Sequence, residues 1–153
     1  MELSMLLNNI EVKSIIGNIN KVVTGVKTNS KKILPGDAFI AMVGRRVDGH
    51  NCIEEAICLG CAVIICNETY TPKENKDVTF VKVDNTRLAL HRLVSNFYDN
   101  PSKDFWLIGI TGTNGKTSVS FLANHVYSRL KYKTGVIGTI ENYMNGKPMG
   151  IEK

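Results

Sequence analysis

The sequence predicts an α/β fold in two parts: a small α/β domain over residues 1–100, then the opening strand, loop, helix and strand of a second domain over 101–153. Three observations carry this. Short apolar runs of strand length alternate with segments whose apolar residues recur at helical spacing. A glycine-rich turn, "GITGTNGKTS" at 109–118, stands between an apolar run and an amphipathic segment. A polar, proline-containing stretch, "DNPSKD" at 99–104, divides the two parts.

Taken in order, Leu3–Asn9 reads as a short helix, and irregular or strand-like structure follows through Val22–Lys27. Pro35-Gly36 is a turn feeding a strand over Ala38–Val43. In "NCIEEAICLG" the residues Ile53, Ala56, Ile57 and Leu59 share a helical face, which Gly60 ends. "CAVIIC" reads as a buried parallel strand and "VTFVKV" as another, with the polar loop "NETYTPKENKD" between them. A helix capped by Asp84 or Asn85 then places Ala89, Leu90, Leu93, Val94 and Phe97 on one side. In the second part "FWLIGI" is the strand, Lys116–Leu130 the helix and "TGVIGTI" the next strand, one βαβ start. Val119, Leu122, Ala123, Val126 and Leu130 form the helix face expected to pack on that sheet.

Composition narrows the function classes. With 43% hydrophobic and 22% charged residues the chain is neither disordered nor membranous, and no apolar run approaches a membrane span. The first residues have neither a basic start nor a small-residue cleavage site, so a secretory signal is not expected. The net charge of +5 is scattered, apart from Lys31-Lys32 and Arg45-Arg46. This pattern suits small polyanions better than nucleic acid, and no membrane partner is expected. Cys52, Cys58, Cys61 and Cys66 include a CxxC but no second pair at zinc spacing. They read as small apolar residues in a reducing, cytoplasmic compartment. Ser30 and Arg45-Arg46 have bland readings too, a turn serine and a solvated pair. His50, His91 and His125 are far apart in sequence, and no catalytic role is assigned to them.

The glycine turn carries the chemistry. An apolar strand, a glycine turn and a helix start converge backbone N–H groups on an anion, and the helix dipole adds partial positive charge. Lys116 would neutralise phosphate oxygens and the Thr117 hydroxyl would ligate Mg²⁺. The spacing is Gly109-x-x-Gly112-x-x-Gly115-Lys116-Thr117, a variant of the general phosphate loop, because Ile110 stands five places before Gly115. Neither GTPase signature occurs, and no aspartate follows Asp104 to serve as a second metal ligand.

"GTNGKTS" at 112–118, "PGDAFIAMVGRRVDGH" at 35–50 and the intervening order strongly resemble the amino-terminal part of the Mur ligase family. The resemblance runs from about residue 20 to the end of the chain. It is greatest to the members that add the third amino acid, diaminopimelate or lysine, to UDP-N-acetylmuramoyl-L-alanyl-D-glutamate. The resemblance implies a UDP-substrate-binding first domain, a central ATPase domain and a third domain for the amino acid. It also implies the chemistry: ATP phosphorylates the peptide carboxylate, and the incoming amine displaces phosphate from the acyl phosphate. Carried over by motif, Gly112, Thr113, Asn114, Gly115, Lys116, Thr117 and Ser118 would hold ATP. Lys116 would have the catalytic place on the phosphates and Thr117 the metal. Thr28, Ser30, Arg45, Arg46 and Val47 would meet the UDP-substrate. Where the family has Asp-Ser-Arg this chain has Asn29-Ser30-Lys31, which removes an arginine fork. The resemblance further implies that these residues are the first domain plus the opening of the ATPase, expected to bind and not to catalyse. Two other readings stay open, a stand-alone nucleotide-binding module and an amide ligase of the folate or cyanophycin class.

Overall fold

The computed structural model describes residues 1–44, 47–73 and 77–150, and divides into two compact units, Met1–Phe105 and Trp106–Lys153. The first unit is built on a five-stranded sheet. Its strands are β1 (Val12–Ile16), β2 (Val26–Lys27), β3 (Ala38–Ile40), β4 (Val63–Asn67) and β5 (Thr79–Val83), in the spatial order β1-β5-β4-β3-β2. β2 through β5 are mutually parallel, and β1 runs antiparallel along β5 at the edge. Four of the five residues of β4 are fully buried, which is why its sequence is continuously apolar rather than alternating.

Period-two alternation sorts the strand residues onto two cores. Ala38, Ile40, Val63, Ile65, Val81 and Val83 face the side covered by α1 (Leu3–Leu6) and α3 (Thr86–Phe97). Phe39, Ala41, Ile64, Cys66 and Phe80 face α2 (Ile53–Cys58) on the other side. Helix α3 starts where Asn85 Oδ1 accepts the N–H groups of Arg87 at 3.0 Å and Leu88 at 3.1 Å, so Asn85 and not Asp84 is the cap. It presents Ala89 and Leu93 to the core as the spacing requires. Leu59 is the C-cap of α2, and Gly60 follows with φ +87°. Two elements are shorter than the sequence suggests. α1 closes at Leu6, with Asn9 turning at φ 59°, and β3 stops at Ile40, where the chain leaves the sheet toward Gly44.

The second unit contains α4 (Lys116–Arg129) and an antiparallel sheet of β6 (Gly135–Val136), β7 (Asn142–Met144) and β8 (Lys147–Met149). The α/β class holds, but the expected strand–helix–strand pairing is not formed among the described residues. "FWLIGI" forms no strand, and β6, the remnant of "TGVIGTI", pairs with the hairpin instead. A strand exists only through a neighbour's hydrogen bonds, and none of the described strands offers its edge to 105–110. For the same reason the face of α4 expected on that sheet is bare: Leu122 is 64% and Val119 51% exposed. Phe121 meets Tyr143 of β7 edge-on at 5.3 Å.

The cysteines are free thiols, of which Cys61 and Cys66 are buried in the core, and no group of three or more metal-ligating side chains occurs among the described residues. Burial pushes the Cys61 thiol up to about 12 and the Cys66 thiol up to about 11, whereas Cys58 is exposed and Cys52 half-buried. Because the thiolate is the nucleophile, a chromogenic disulfide reagent is expected to modify Cys58 promptly and Cys52 more slowly. Cys61 and Cys66 are expected to react only after denaturant is added. Four fast thiols in native buffer would contradict this core.

Candidate functional site

The chemistry-bearing residues of the first unit lie at the carboxyl ends of its parallel strands, the ordinary ligand position of such sheets. Thr28 follows β2 and lines a cavity of about 480 Å³ with Val26 and, from α3 and its end, Leu90, His91, Val94 and Tyr98. Residues 90, 91, 94 and 98 share one helical face, so this wall was readable as spacing, but nothing in the sequence paired it with Thr28. Ser30 is placed differently. It is buried, and its hydroxyl donates to Glu55 Oε2 at 2.5 Å, tying the 3₁₀ turn Ser30–Lys32 to α2. Asn29 caps that turn by accepting the Lys31 N–H at 3.1 Å, a role its amide oxygen fills as an aspartate would.

The loop after β3 folds back on itself. Val43 and Asp48 form an antiparallel bridge, and the Gly44 N–H donates to the Val47 carbonyl at 3.0 Å. Val47 exposes its side chain, while Arg45 and Arg46 lie outside the described residues. Gly49 admits no side chain, since a Cβ there would stand 2.7 Å from the Met42 nitrogen. Beside this loop a second cavity of about 490 Å³ is lined by Val43, Asp48, His50, Asn67, Thr69 and Tyr70.

His50 organises that cavity. Its Nδ1 lies 2.7 Å from Asp48 Oδ1, and its Nε2 accepts the Asn67 N–H at 3.0 Å, which sets a neutral ring protonated at Nδ1. The backbone N–H of His50, and after it the ring, hold the Asp48 carboxyl below the usual carboxylate range. Both ring nitrogens are thus engaged in joining the β3 loop to the end of β4. The "DGH" signature is a positioning device here, which sequence reading did not assign. Tyr70 lies against His50 at 5.7 Å and against Phe80 at 6.5 Å, and extends the wall.

In the second unit Gly112, at φ +149°, and Gly115, at φ +78°, turn the chain into α4, backbone angles that a side chain would strain. Gly115 is the N-cap of α4. Among the described residues the N–H groups of Gly112, Thr113, Asn114 and Gly115 donate to no protein acceptor, and the first amides of α4 are unbonded as in any helix. Lys116 folds over the loop, its Nζ 2.5 Å from the Gly112 carbonyl and 3.1 Å from that of Thr113. A positive ammonium beside a row of free donors fits a polyphosphate. Thr117 offers one hydroxyl to a hard cation, whose other ligands would be phosphate oxygens and water. Thr113, Asn114 and Ser118 are exposed around the same loop.

Two family models match the chain, one described as the catalytic domain of the Mur ligase family over residues 22–98 and one as the Mur ligase middle domain over 110–152. A UDP-N-acetylmuramoyl-L-alanyl-D-glutamate–2,6-diaminopimelate ligase of Clostridium perfringens is 40% identical over 96% of the chain. The chain spans 30% of the length of that relative. Among solved structures, a MurF ligase from Thermotoga maritima in complex with ADP matches 68% of the chain and 23% of its own, with 28% identity and a TM-score of 0.52. A structure of a UDP-N-acetylmuramoyl-L-alanyl-D-glutamate–2,6-diaminopimelate ligase covers 94% of the chain and 28% of its own at a TM-score of 0.66. At 22% identity that likeness speaks for the fold.

Proposed function

The chain belongs to the Mur ligase family, and from that premise we propose that the whole protein is an ATP-dependent ligase of peptidoglycan precursor synthesis. It adds the third amino acid to UDP-N-acetylmuramoyl-L-Ala-D-Glu in the cytoplasm, through an acyl phosphate. The observation that carries this is the likeness to a diaminopimelate ligase at 40% identity, which runs through both units. The same likeness favours diaminopimelate over lysine.

In this reading the first unit takes the UDP end of the substrate along the carboxyl edge of β2 and β3, with Thr28, Arg45, Arg46 and Val47 as contacts. Ser30, two residues after Thr28, ties the turn to α2 through Glu55. The loop from Gly112 to Ser118 takes the ATP phosphates on its free N–H groups. Lys116 leaves the carbonyls of Gly112 and Thr113 for the phosphates, where it neutralises charge as the peptide carboxylate attacks. Mg²⁺, held by Thr117 and the phosphates, would supply further charge neutralisation.

Isothermal calorimetry on the 153-residue chain tests both halves separately. UDP-N-acetylmuramoyl-L-Ala-D-Glu is expected to bind, and UDP alone to compete with it. Absence of heat for either compound at millimolar ligand would refute the reading of the first unit. A second titration with Mg-ATP tests the loop.

A further inference from the structure

The second unit contains two Asn-Gly pairs, Asn114-Gly115 in the phosphate loop and Asn145-Gly146 in the hairpin between β7 and β8. They are chemically alike and structurally opposite. Asn145 at φ 50° and Gly146 at φ 77° form a two-residue turn, closed on both sides by the pairing of Met144 with Lys147. Its backbone N–H donates to the Thr134 carbonyl at 2.8 Å, and its Oδ1 accepts the Thr134 N–H at 3.2 Å. Asn114 is exposed, and its side chain makes no hydrogen bond among the described residues. The following N–H, that of Gly115, has no acceptor either, and a Cβ at Gly115 would touch nothing within 4 Å. No hydrogen bond therefore holds the Asn114 side chain away from the Gly115 nitrogen or engages that nitrogen's N–H.

The electrostatics act in the same direction. Gly115 caps the 14-residue helix α4, so its amide sits at the positive end of the helix dipole. The Lys116 ammonium is fixed over the neighbouring carbonyls of Gly112 and Thr113. Both stabilise negative charge on the Gly115 nitrogen, the form of that amide which is nucleophilic.

We propose that Asn114 is a site of spontaneous deamidation, and that its conversion disables the loop for anion binding. Solvent base removes the Gly115 amide proton, and the nitrogen attacks Asn114 Cγ. The new N–Cγ bond closes a five-membered succinimide, while the Cγ–Nδ2 bond breaks and ammonia leaves with a proton. Water then opens the ring. Cleavage at Cγ leaves aspartate, and cleavage at the main-chain carbonyl leaves isoaspartate, with the chain rerouted through Cβ. Either product puts a carboxylate among the N–H donors that face phosphate, and the isoaspartate also lengthens the turn before α4. The loss of function rests on the ATP reading above; the modification does not.

The test ages the chain in mildly alkaline and in mildly acidic buffer, without and with Mg-ATP, and follows each Asn-Gly peptide by mass and by enzymatic methylation of isoaspartate. Asn114 is expected to convert severalfold faster than Asn145 and faster in alkali, with Mg-ATP slowing it. Equal or slower conversion at Asn114 would overturn the proposal. The number of ATP sites per aged chain is expected to fall in proportion to the converted fraction, with the affinity of the remaining sites unchanged. A fully converted chain that binds ATP as well as fresh chain would overturn the functional consequence. Fresh chain that binds no ATP yet converts at Asn114 first would support the modification and count against the nucleotide reading instead.

Discussion

Replacing Phe39 by Ala is expected to lower the stability of the Met1–Phe105 unit by about 3–5 kcal/mol, the usual range for an aromatic ring removed from a packed interior. Phe39 is 1% exposed at the centre of the α2-side core, where it packs with Ile53, Ala56, Ile64 and Phe80. In register it lies between Lys27 of β2 and Ile64 of β4, so the hole opens under the middle of the sheet. The experiment is a urea titration followed by far-ultraviolet circular dichroism. Phe39→Leu, which retains most of the apolar volume, is expected to recover much of the loss. A Phe39→Ala chain within about 0.5 kcal/mol of the parent, the range typical of surface changes, would contradict this core.

The second large effect belongs to the loop. Lys116→Ala is expected to weaken Mg-ATP binding roughly 10–100-fold, since hydrogen bonds to a charged group contribute about 1.5–3 kcal/mol. The fold of the unit should hardly change, because the lysine's bonds in this structure are solvent-exposed contacts to two loop carbonyls. Calorimetry gives the affinity, and the far-ultraviolet circular dichroism melting profile shows whether the variant stays folded. An unchanged dissociation constant would take Lys116 off the phosphates. Lys116→Arg is expected to restore the charge but not the full affinity, because a planar fork cannot make the point contact of an ammonium.

Much of the first unit could be read along the chain. The apolar runs at 61–66 and 78–83, the spacing of Ala89 and Leu93 and the capping residue near 85 are local signals, and each became the element expected of it. The glycine turn at 112–115 was equally legible as a shape, because glycines with positive φ and a helix starting at Lys116 are met within a few consecutive residues. Other features needed contacts between distant positions. Ser30 reads as a turn serine until Glu55, 25 residues away, takes its hydroxyl. His50 belongs to an unassigned tripeptide until the Asn67 amide meets its ring.

The failure over 105–110 has the same origin from the opposite side. A continuous apolar run before the glycine turn made "FWLIGI" a strand candidate, but strand formation depends on a paired edge, and none of the described strands supplies one. Helix α4 forms regardless, because its hydrogen bonds are internal to the segment, while the sheet that would cover Val119, Leu122 and Val126 is not formed. Helices, caps and glycine turns were thus determined by neighbouring residues in this chain. Strand pairing, the face each side chain occupies and the partners of Ser30 and His50 were settled by tertiary contact, since those energies arise only when remote segments meet.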